Sequence, residues 1–226
     1  MQVDVSSRPA YALAYVKLAR DESVYAESGS MVSMSSGIEA AATLSGGVVQ
    51  SAVRRLIAQE SLVMARYTAR VTGAWVALAP KFPGDLAPIE ISPAAAMIVQ
   101  SGSFLAHSDG VELGAALGSL QSVALREGAT VLAATGSGTL LIAAYGGLER
   151  FELRDGEQLV VDSGHLAAWS ATLGLRVGPL RGIVSSALTG EGLVGEFTGP
   201  GIVYVQTRAE QQLRSWLYPT RQQDSR

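Results

Sequence analysis

The chain has 226 residues, of which 48% are hydrophobic and 16% charged, and its formal net charge is −3. This composition excludes a disordered chain, and the length allows a sizeable core without disulfides or metals. The absence of cysteine excludes disulfide scaffolds, thiolate metal sites and cysteine nucleophiles, and suits a reducing compartment. The adjacent arginine pair Arg54-Arg55 is isolated, so no basic face for phosphates is evident and we expect no nucleic-acid partner.

The N-terminus carries no basic region followed by an apolar run, which is the pattern of a signal peptide. No stretch approaches the ~20 unbroken apolar residues that span a bilayer. We therefore expect a cytoplasmic protein without a membrane span.

A first pattern occurs at residues 22–34, 94–106 and 156–168. In each copy a short apolar strand leads through a polar residue to a Ser-Gly pair, and a second apolar strand follows. The pairs are Ser28-Gly29, Ser101-Gly102 and Ser163-Gly164. Because glycine tolerates positive φ, each pair predicts a tight turn between two strands, and the three turns are expected to be equivalent.

A second pattern alternates with the first, at residues 59–68, 126–138 and 190–201. Each copy opens on a glutamate, runs through a strand to a threonine, and is followed by another apolar strand. The glutamates are Glu60, Glu127 and Glu191. Alternation of the two patterns predicts three copies of one unit, which we place at about 10–80, 81–147 and 148–208.

Two segments depart from the strand pattern. Residues 48–58 carry apolar side chains at helical spacing and predict an inserted helix in the first unit. A second short helix is expected at 208–217, ended by Pro219. Short strands punctuated by Gly, Ser, Pro and Asp predict an all-β sandwich or barrel forming one domain over 1–218, with 219–226 as a flexible tail.

Three stretches carry a family resemblance, namely 102–106, 162–169 and the run Gly190–Arg208 that ends in Gly-Pro-Gly-Ile-Val-Tyr-Val-Gln-Thr-Arg. They resemble the altered-inheritance-of-mitochondria protein 24 family over about residues 10–208. The resemblance implies a double-stranded β-helix related to the trp RNA-binding attenuation protein, and no established catalytic activity. The first unit departs most, since Gln59 stands where the family usually has glycine.

Gly190, Gly192 and Gly195 satisfy the G-x-G-x-x-G pattern of dinucleotide-binding loops. Such a loop must open a helix, whereas Glu196-Phe-Thr-Gly-Pro-Gly follows here, so we interpret these residues as turn glycines. No cofactor is therefore expected.

His107 and His165 are the two histidines. Counted from their Ser-Gly pairs they occupy different positions in the unit, and we interpret them as a strand-edge and a turn-edge residue. Metal sites in double-stranded β-helix enzymes use about three ligands, often closely spaced, which this pair does not provide. We therefore predict no metal site and no catalytic residue.

The recurrent glutamates could form an acid–base pair or a ring for a hard cation. A residue repeated in every unit is more simply explained by a role in the fold, such as accepting backbone N–H bonds. Trp75, Trp169 and Trp216 are likewise interpreted as packing residues.

The function predicted from these features is a non-enzymatic β-scaffold for protein interaction or assembly. We expect a homo-oligomer, with a trimer as the first expectation from the threefold pattern, and an unknown protein partner. The alternatives are a small-molecule-binding module and, with less support, a cupin-like metalloenzyme.

Overall fold

The computed structural model describes residues 1–44, 63–116, 131–179 and 193–218. Strands dominate these residues, which confirms the all-β prediction. Besides β1 (Gln2–Ser6) they form three sets of six. The first set is β2 (Leu13–Leu18), β3 (Ser23–Glu27), β4 (Met31–Met34), β5 (Ile38–Leu44), β6 (Val63–Ala69) and β7 (Ala74–Leu78). The second set is β8 (Leu86–Ile91), β9 (Met97–Gln100), β10 (Phe104–Ser108), β11 (Val111–Ala115), β12 (Val131–Gly136) and β13 (Gly138–Ala143). The third set is β14 (Leu148–Leu153), β15 (Gln158–Asp162), β16 (Leu166–Ser170), β17 (Gly174–Gly178), β18 (Val194–Thr198) and β19 (Gly201–Gln206).

Alternation of apolar and polar residues explains why these segments are strands. In β2 the side chains of Ala14, Val16 and Leu18 are buried, whereas Tyr15 and Lys17 between them are exposed. Successive side chains of a strand point to opposite faces, so such a segment buries one face and leaves the other in water.

One scheme of antiparallel pairing occurs in all three sets. The first and third strands of a set pair with its sixth, and the second and fourth pair with its fifth. Neighbouring sets are joined by pairing the second strand of one with the third strand of the next, through β3 with β10 and β9 with β16.

These pairings give four sheets. Sheet A has the order β1-β2-β7-β4, sheet B β5-β6-β3-β10-β13-β8, sheet C β11-β12-β9-β16-β19-β14, and sheet D β15-β18-β17. Sheets B and C each combine strands of two sets. Sheets A and D, by contrast, contain strands of a single set, with β1 added to sheet A.

Three hydrophobic cores separate the four sheets. The first lies between sheets A and B, the second between B and C, and the third between C and D. Fully buried members include Val16, Leu105, Leu141 and Phe197. A buried leucine or phenylalanine contributes about 1.5–3 kcal/mol relative to an exposed one, so this sandwich-like layering supplies the main stabilisation.

Helix α1 (Glu210–Leu217) follows β19 and confirms the predicted C-terminal helix. An ion pair between Glu210 and Arg214 supports it at a spacing of four residues. Trp169 is buried and Trp75 is partly buried, but Trp216 on α1 is 76% exposed, so the expectation that it packs in the fold is wrong. The predicted helix at 48–58 and the tail at 219–226 lie outside the described residues. None of the helices found in the described ranges is long and apolar enough to cross a bilayer.

Candidate functional site

The Ser-Gly pairs all lie between the second and third strands of a set, but their backbones differ. Gly29 has a φ of +86°, whereas Ser101–Ser103 and Ser163–His165 each form one turn of 3₁₀-helix. The explanation from positive φ is therefore right for Gly29 and wrong for Gly102 and Gly164. At Gly164 a Cβ atom would lie 3.1 Å from the carboxylate of Asp162, which accepts the Gly164 N–H, so close approach explains that glycine.

A recurrent serine was missed in the sequence. Ser35, Ser108 and Ser170 each accept, through Oγ, the backbone N–H of a residue in the sixth strand of the same set. The donors are Trp75, Thr139 and Ile202, at 3.0, 3.0 and 2.9 Å. The available signal was spacing, because each serine stands seven positions after the serine of its Ser-Gly pair (28 to 35, 101 to 108, 163 to 170). These hydroxyls have a structural role, since they fix the third strand of each set against the sixth.

His107 lies on β10, which is flanked by β3 and β13, so the interpretation as a strand-edge residue is wrong. Its side chain is buried and stacks on Tyr25, with ring centroids 5.0 Å apart. Nδ1 lies 2.8 Å from the Ser108 carbonyl, which can only accept, so Nδ1 carries the proton. Nε2 is buried and has no hydrogen-bond partner among the described residues.

His165 lies in the turn before β16, as expected for a turn-edge residue. Its Nδ1–H donates to the Gln206 carbonyl at 2.8 Å, and Nε2 lies 3.5 Å from the amide nitrogen of Gln212. His107 belongs to sheet B, whereas His165 contacts the end of sheet C. The fold therefore gives the two histidines separate surroundings.

Acid conditions are expected to destabilise the fold through His107. Burial lowers the pKa of this imidazole, against the smaller opposing effects of the Ser108 carbonyl and the Asp109 carboxylate. The same Asp109 carboxylate accepts the Tyr25 hydroxyl. In the unfolded chain the pKa is about 6.5. The stabilising contribution is therefore complete above pH ~6.5 and is lost as pH falls below it. The free energy of unfolding, measured with urea between pH 5 and 8, should fall as the pH falls. This pH dependence should be smaller in His107→Phe and retained in His165→Gln. An unchanged slope in His107→Phe would contradict the assignment.

No group of three or more histidine, cysteine, aspartate or glutamate residues capable of holding a metal occurs within the described ranges. Glu60, Glu127 and Glu191 lie outside those ranges. The strands that follow them, β6, β12 and β18, are each the fifth strand of a set and pair in the same way.

Gly190 and Gly192 of the G-x-G-x-x-G pattern also lie outside the described residues. Gly195 lies within β18, the middle strand of sheet D, so its interpretation as a turn glycine is wrong. A Cβ atom there would lie 3.0 Å from Phe197 Cε2 and 3.4 Å from Leu175 Cδ1. Gly195 thus leaves room for the buried ring of Phe197, and the segment continues as a strand rather than as a phosphate-binding helix.

Gly195→Ala is expected to destabilise the fold by about 1–3 kcal/mol through overpacking against Phe197. Combined with Phe197→Ala, the same substitution should cost much less, because the clashing ring is gone. Chemical unfolding of the two single variants and the double variant measures this coupling. An equal cost in both backgrounds would show that the glycine serves something other than this packing.

The Gln-Thr-Arg end of the family-like run Gly190–Arg208 contains side chains that bind the backbone of other segments. Gln206 Oε1 accepts the Tyr145 N–H at 3.0 Å, and its Nε2 donates to the Gly164 carbonyl at 3.1 Å. Thr207 Oγ1 accepts the Gly147 N–H at 2.8 Å. These bonds tie the end of β19 to the third Ser-Gly turn and to the β13–β14 connection, which is a structural role.

The strongest candidate for a functional surface is a pair of sheet edges. β4 is the edge of sheet A and is exposed along its whole length, with Val32 58% exposed. The residues at the same place in β10 and β16, Leu105 and Ala167, are fully buried. All three sit at the same register shift within the third strand of a set. Within the part of the chain that the structure describes, β4 thus lacks the neighbour that its two counterparts have.

In the described residues, the β15 edge of sheet D lacks a third strand beside it, whereas the β4 edge of sheet A lacks a second strand. β15 is the second strand of the third set, and its counterparts β3 and β9 pair with β10 and β16. β15 pairs with β18 alone within the described strands. Val160 on β15 is 51% exposed, whereas the corresponding Ile98 on β9 is 6% exposed. The described strands therefore leave two apolar edges, β4 and β15, without a partner on one side.

The comparison with known proteins now gives the family. The sequence profile of the family described as Mitochondrial biogenesis AIM24 matches residues 3–208, which include every strand from β2 to β19. The chain belongs to the AIM24 family. This confirms the resemblance inferred from the sequence motifs; the relation to the trp RNA-binding attenuation protein stays a prediction.

Two bacterial relatives cover nearly the whole chain. Uncharacterized protein M6_Spy0233 of Streptococcus pyogenes serotype M6 is 27% identical in an alignment of 220 residues that covers 92% of this chain and 86% of the relative. The crystal structure of protein SPYM3_0169 from Streptococcus pyogenes has a TM-score of 0.76 and 26% identity, and covers 96% of this chain and 97% of its own. This AIM24 chain therefore has an architecture similar to that of a solved bacterial protein over 96% of its length.

Proposed function

We propose that this AIM24-family protein is a non-enzymatic scaffold that acts through protein contacts at the β4 edge of sheet A and the β15 edge of sheet D. The observation that carries the proposal is the contrast between β4 and its counterparts. The same strand position is buried in the second and third sets and exposed in the first. Apolar strand edges of this kind drive association with other chains unless they are covered.

The residues that suggested chemistry support the scaffold proposal in a second way. His165 and Gly195 are engaged in a hydrogen bond and in packing that hold strands together, and Gln206 of the family motif binds the third Ser-Gly turn. None of these contacts needs a substrate or a cofactor. We accordingly propose no catalytic activity, and a cysteine-free chain of this kind suits the reducing cytoplasm.

The assembly that we propose is a homo-oligomer, with a trimer as the expected size. Multi-angle light scattering across micromolar concentrations tests it, since a scaffold that self-associates should have a mass of several chains. A mass equal to one chain throughout that range would overturn the homo-oligomer. Stoichiometric metal in the purified protein would favour the metalloenzyme alternative instead.

A further inference from the structure

We infer that β4 of one molecule pairs antiparallel with β15 of a second copy of the same chain, in the register already used between β3 and β10 and between β9 and β16. This inference rests on the proposed scaffold function and names its partner. It also names the two edges that meet, which makes the contact head-to-tail.

The chain itself contains the proposed contact twice. β10 covers the edge of β3, and β16 covers the edge of β9. In each case a third strand of one set pairs with a second strand of the preceding set. Among the described strands, β4 is a third strand with no second strand beside it, and β15 is a second strand with no third strand beside it. A second copy supplies what each edge lacks.

The sheet formed by two copies would have the same strand order as sheets B and C of a single chain. Sheet B has three strands of the first set beside three of the second, and sheet C repeats this with the second and third sets. Joining sheet D of one copy to sheet A of the next gives the order β17-β18-β15-β4-β7-β2. When each strand is named by its position in its set, this is the order of sheets B and C: fourth, fifth and second strands of one set, then third, sixth and first strands of another. β1 remains at the far edge.

The pairings of β3 with β10 and of β9 with β16 also predict the register between β4 and β15. His107 lies opposite Tyr25, and Trp169 lies opposite Ile98. Counting from the Ser-Gly pairs, Met34 corresponds to His107 and Trp169, and Val160 corresponds to Tyr25 and Ile98. Met34 of one copy should therefore lie opposite Val160 of the other. Met34 is 39% exposed and Val160 51% exposed, and both would become buried against apolar neighbours.

The remaining sheet edges of the described strands show how this protein protects an edge that stays in water. They carry charged residues or proline at internal positions, which is the usual device against edge-to-edge pairing. These residues are Asp4 on β1, Glu39 on β5, Pro88 and Glu90 on β8, Glu112 on β11, Glu149, Arg150 and Glu152 on β14, and Arg176 on β17.

β4 and β15 lack that protection. β4 reads Met-Val-Ser-Met and has neither a charge nor a proline. β15 has one charge, the terminal Asp162, whose carboxylate accepts the Gly164 N–H within its own turn. The two edges therefore have the composition of paired strands. This favours a second copy of the chain over a transient partner.

A head-to-tail contact joins two different surfaces, so it propagates until it closes into a ring or extends into a filament. The number of copies is set by the angle between successive molecules. A contact between two β4 strands, or between two β15 strands, would instead stop at a dimer.

The test uses chains with one cysteine each, because the natural sequence has none. Met34→Cys and Val160→Cys chains, one carrying a larger tag, are co-expressed, oxidised mildly and separated without reductant. Directly opposed residues in antiparallel strands have Cα atoms about 4.5–5.5 Å apart, within the range that a disulfide spans. We expect a disulfide-linked pair containing one chain of each kind, and neither product between identical chains.

Two matched controls define the specificity. Met31→Cys lies three residues along β4, roughly 10 Å away, and should not cross-link to Val160→Cys. Val71→Cys, 54% exposed in the β6–β7 connection, reports random collision and should also fail to cross-link.

Each other outcome is decisive. A prevailing product between two Met34→Cys chains or two Val160→Cys chains would replace the head-to-tail contact with a symmetric one. An oligomeric mass without any of these cross-links would overturn this inference and leave the proposed scaffold intact. A mass of one chain would overturn the homo-oligomer itself.

Discussion

Replacing Val32 and Met34 together with lysine is expected to reduce the native mass from that of an oligomer to that of a single chain. Both side chains are exposed in the isolated molecule, so the substitutions should change the stability of one chain by only about 0.5 kcal/mol each. In the proposed contact both become buried, and burial of two unpaired ammonium groups opposes association. Light scattering and far-ultraviolet circular dichroism separate loss of assembly from loss of fold.

Val71→Lys is the matched control, since it places the same charge on an exposed valine in the β6–β7 connection, which belongs to neither edge strand. It should leave the mass unchanged. A doubly substituted β4 that still assembles at full mass would contradict the role of this edge.

A mixing experiment follows from the same head-to-tail geometry. Chains with lysine at Val32 and Met34 retain an intact β15, and chains with Val160→Lys retain an intact β4. Each variant alone should be a single chain, whereas a mixture should form a pair with one chain of each kind. A mixture that stays at the mass of single chains would contradict pairing of β4 with β15.

The second large effect is expected at an ion pair between the N-terminal segment and the second set of strands. Asp85 is 3% exposed, and its carboxylate accepts Arg8 Nε–H and Nη2–H, both at 2.8 Å, and the Leu86 N–H at 2.9 Å. Arg8→Ala leaves this buried carboxylate with a single backbone donor. The Arg8 side chain itself is half exposed, so only the carboxylate is buried. The expected loss is about 1–3 kcal/mol in the free energy of unfolding, because a buried charged acceptor loses its two side-chain donors.

Arg70→Ala is the control for that prediction. Arg70 also contacts two carboxylates, those of Asp21 and Glu39, but all three side chains are more than half exposed. Surface pairs of this kind contribute about 0–1 kcal/mol. Chemical denaturation of both variants checks the contrast, and equal losses would show that burial of Asp85 does not set the strength of the pair.

The candidate site could be predicted from the sequence only in part. Met31–Met34, Phe104–Ser108 and Leu166–Ser170 are similarly apolar strands after similar turns, so local pattern predicts the same burial for each. The structure leaves the first exposed because, among the described strands, none lies beside its outer edge. Whether a strand lies inside a sheet or at its edge depends on how the whole chain pairs. The residues around Val32 alone therefore do not predict its exposure.

His107 shows the same limit for a single side chain. The sequence analysis interpreted it as a strand-edge residue, and pairing of β10 with β3 of the preceding set instead places it inside sheet B. Tyr25, which stacks on its ring, reaches it through pairing across two sets of strands. Burial at this position lowers the pKa of His107 and leaves Nε2 without a hydrogen-bond partner among the described residues.

The sequence by itself determined the all-β class, the positions of most strands, the helix after β19 and the family. These features depend on short-range physics: alternation of apolar side chains, turn residues between strands, and a helical run that ends before Pro219. The tertiary structure decided which strand lies beside which, and therefore which edges stay open. That outcome depends on hydrogen bonding between residues far apart in the chain, and one apolar strand sequence can be interior or edge depending on whether a neighbour exists.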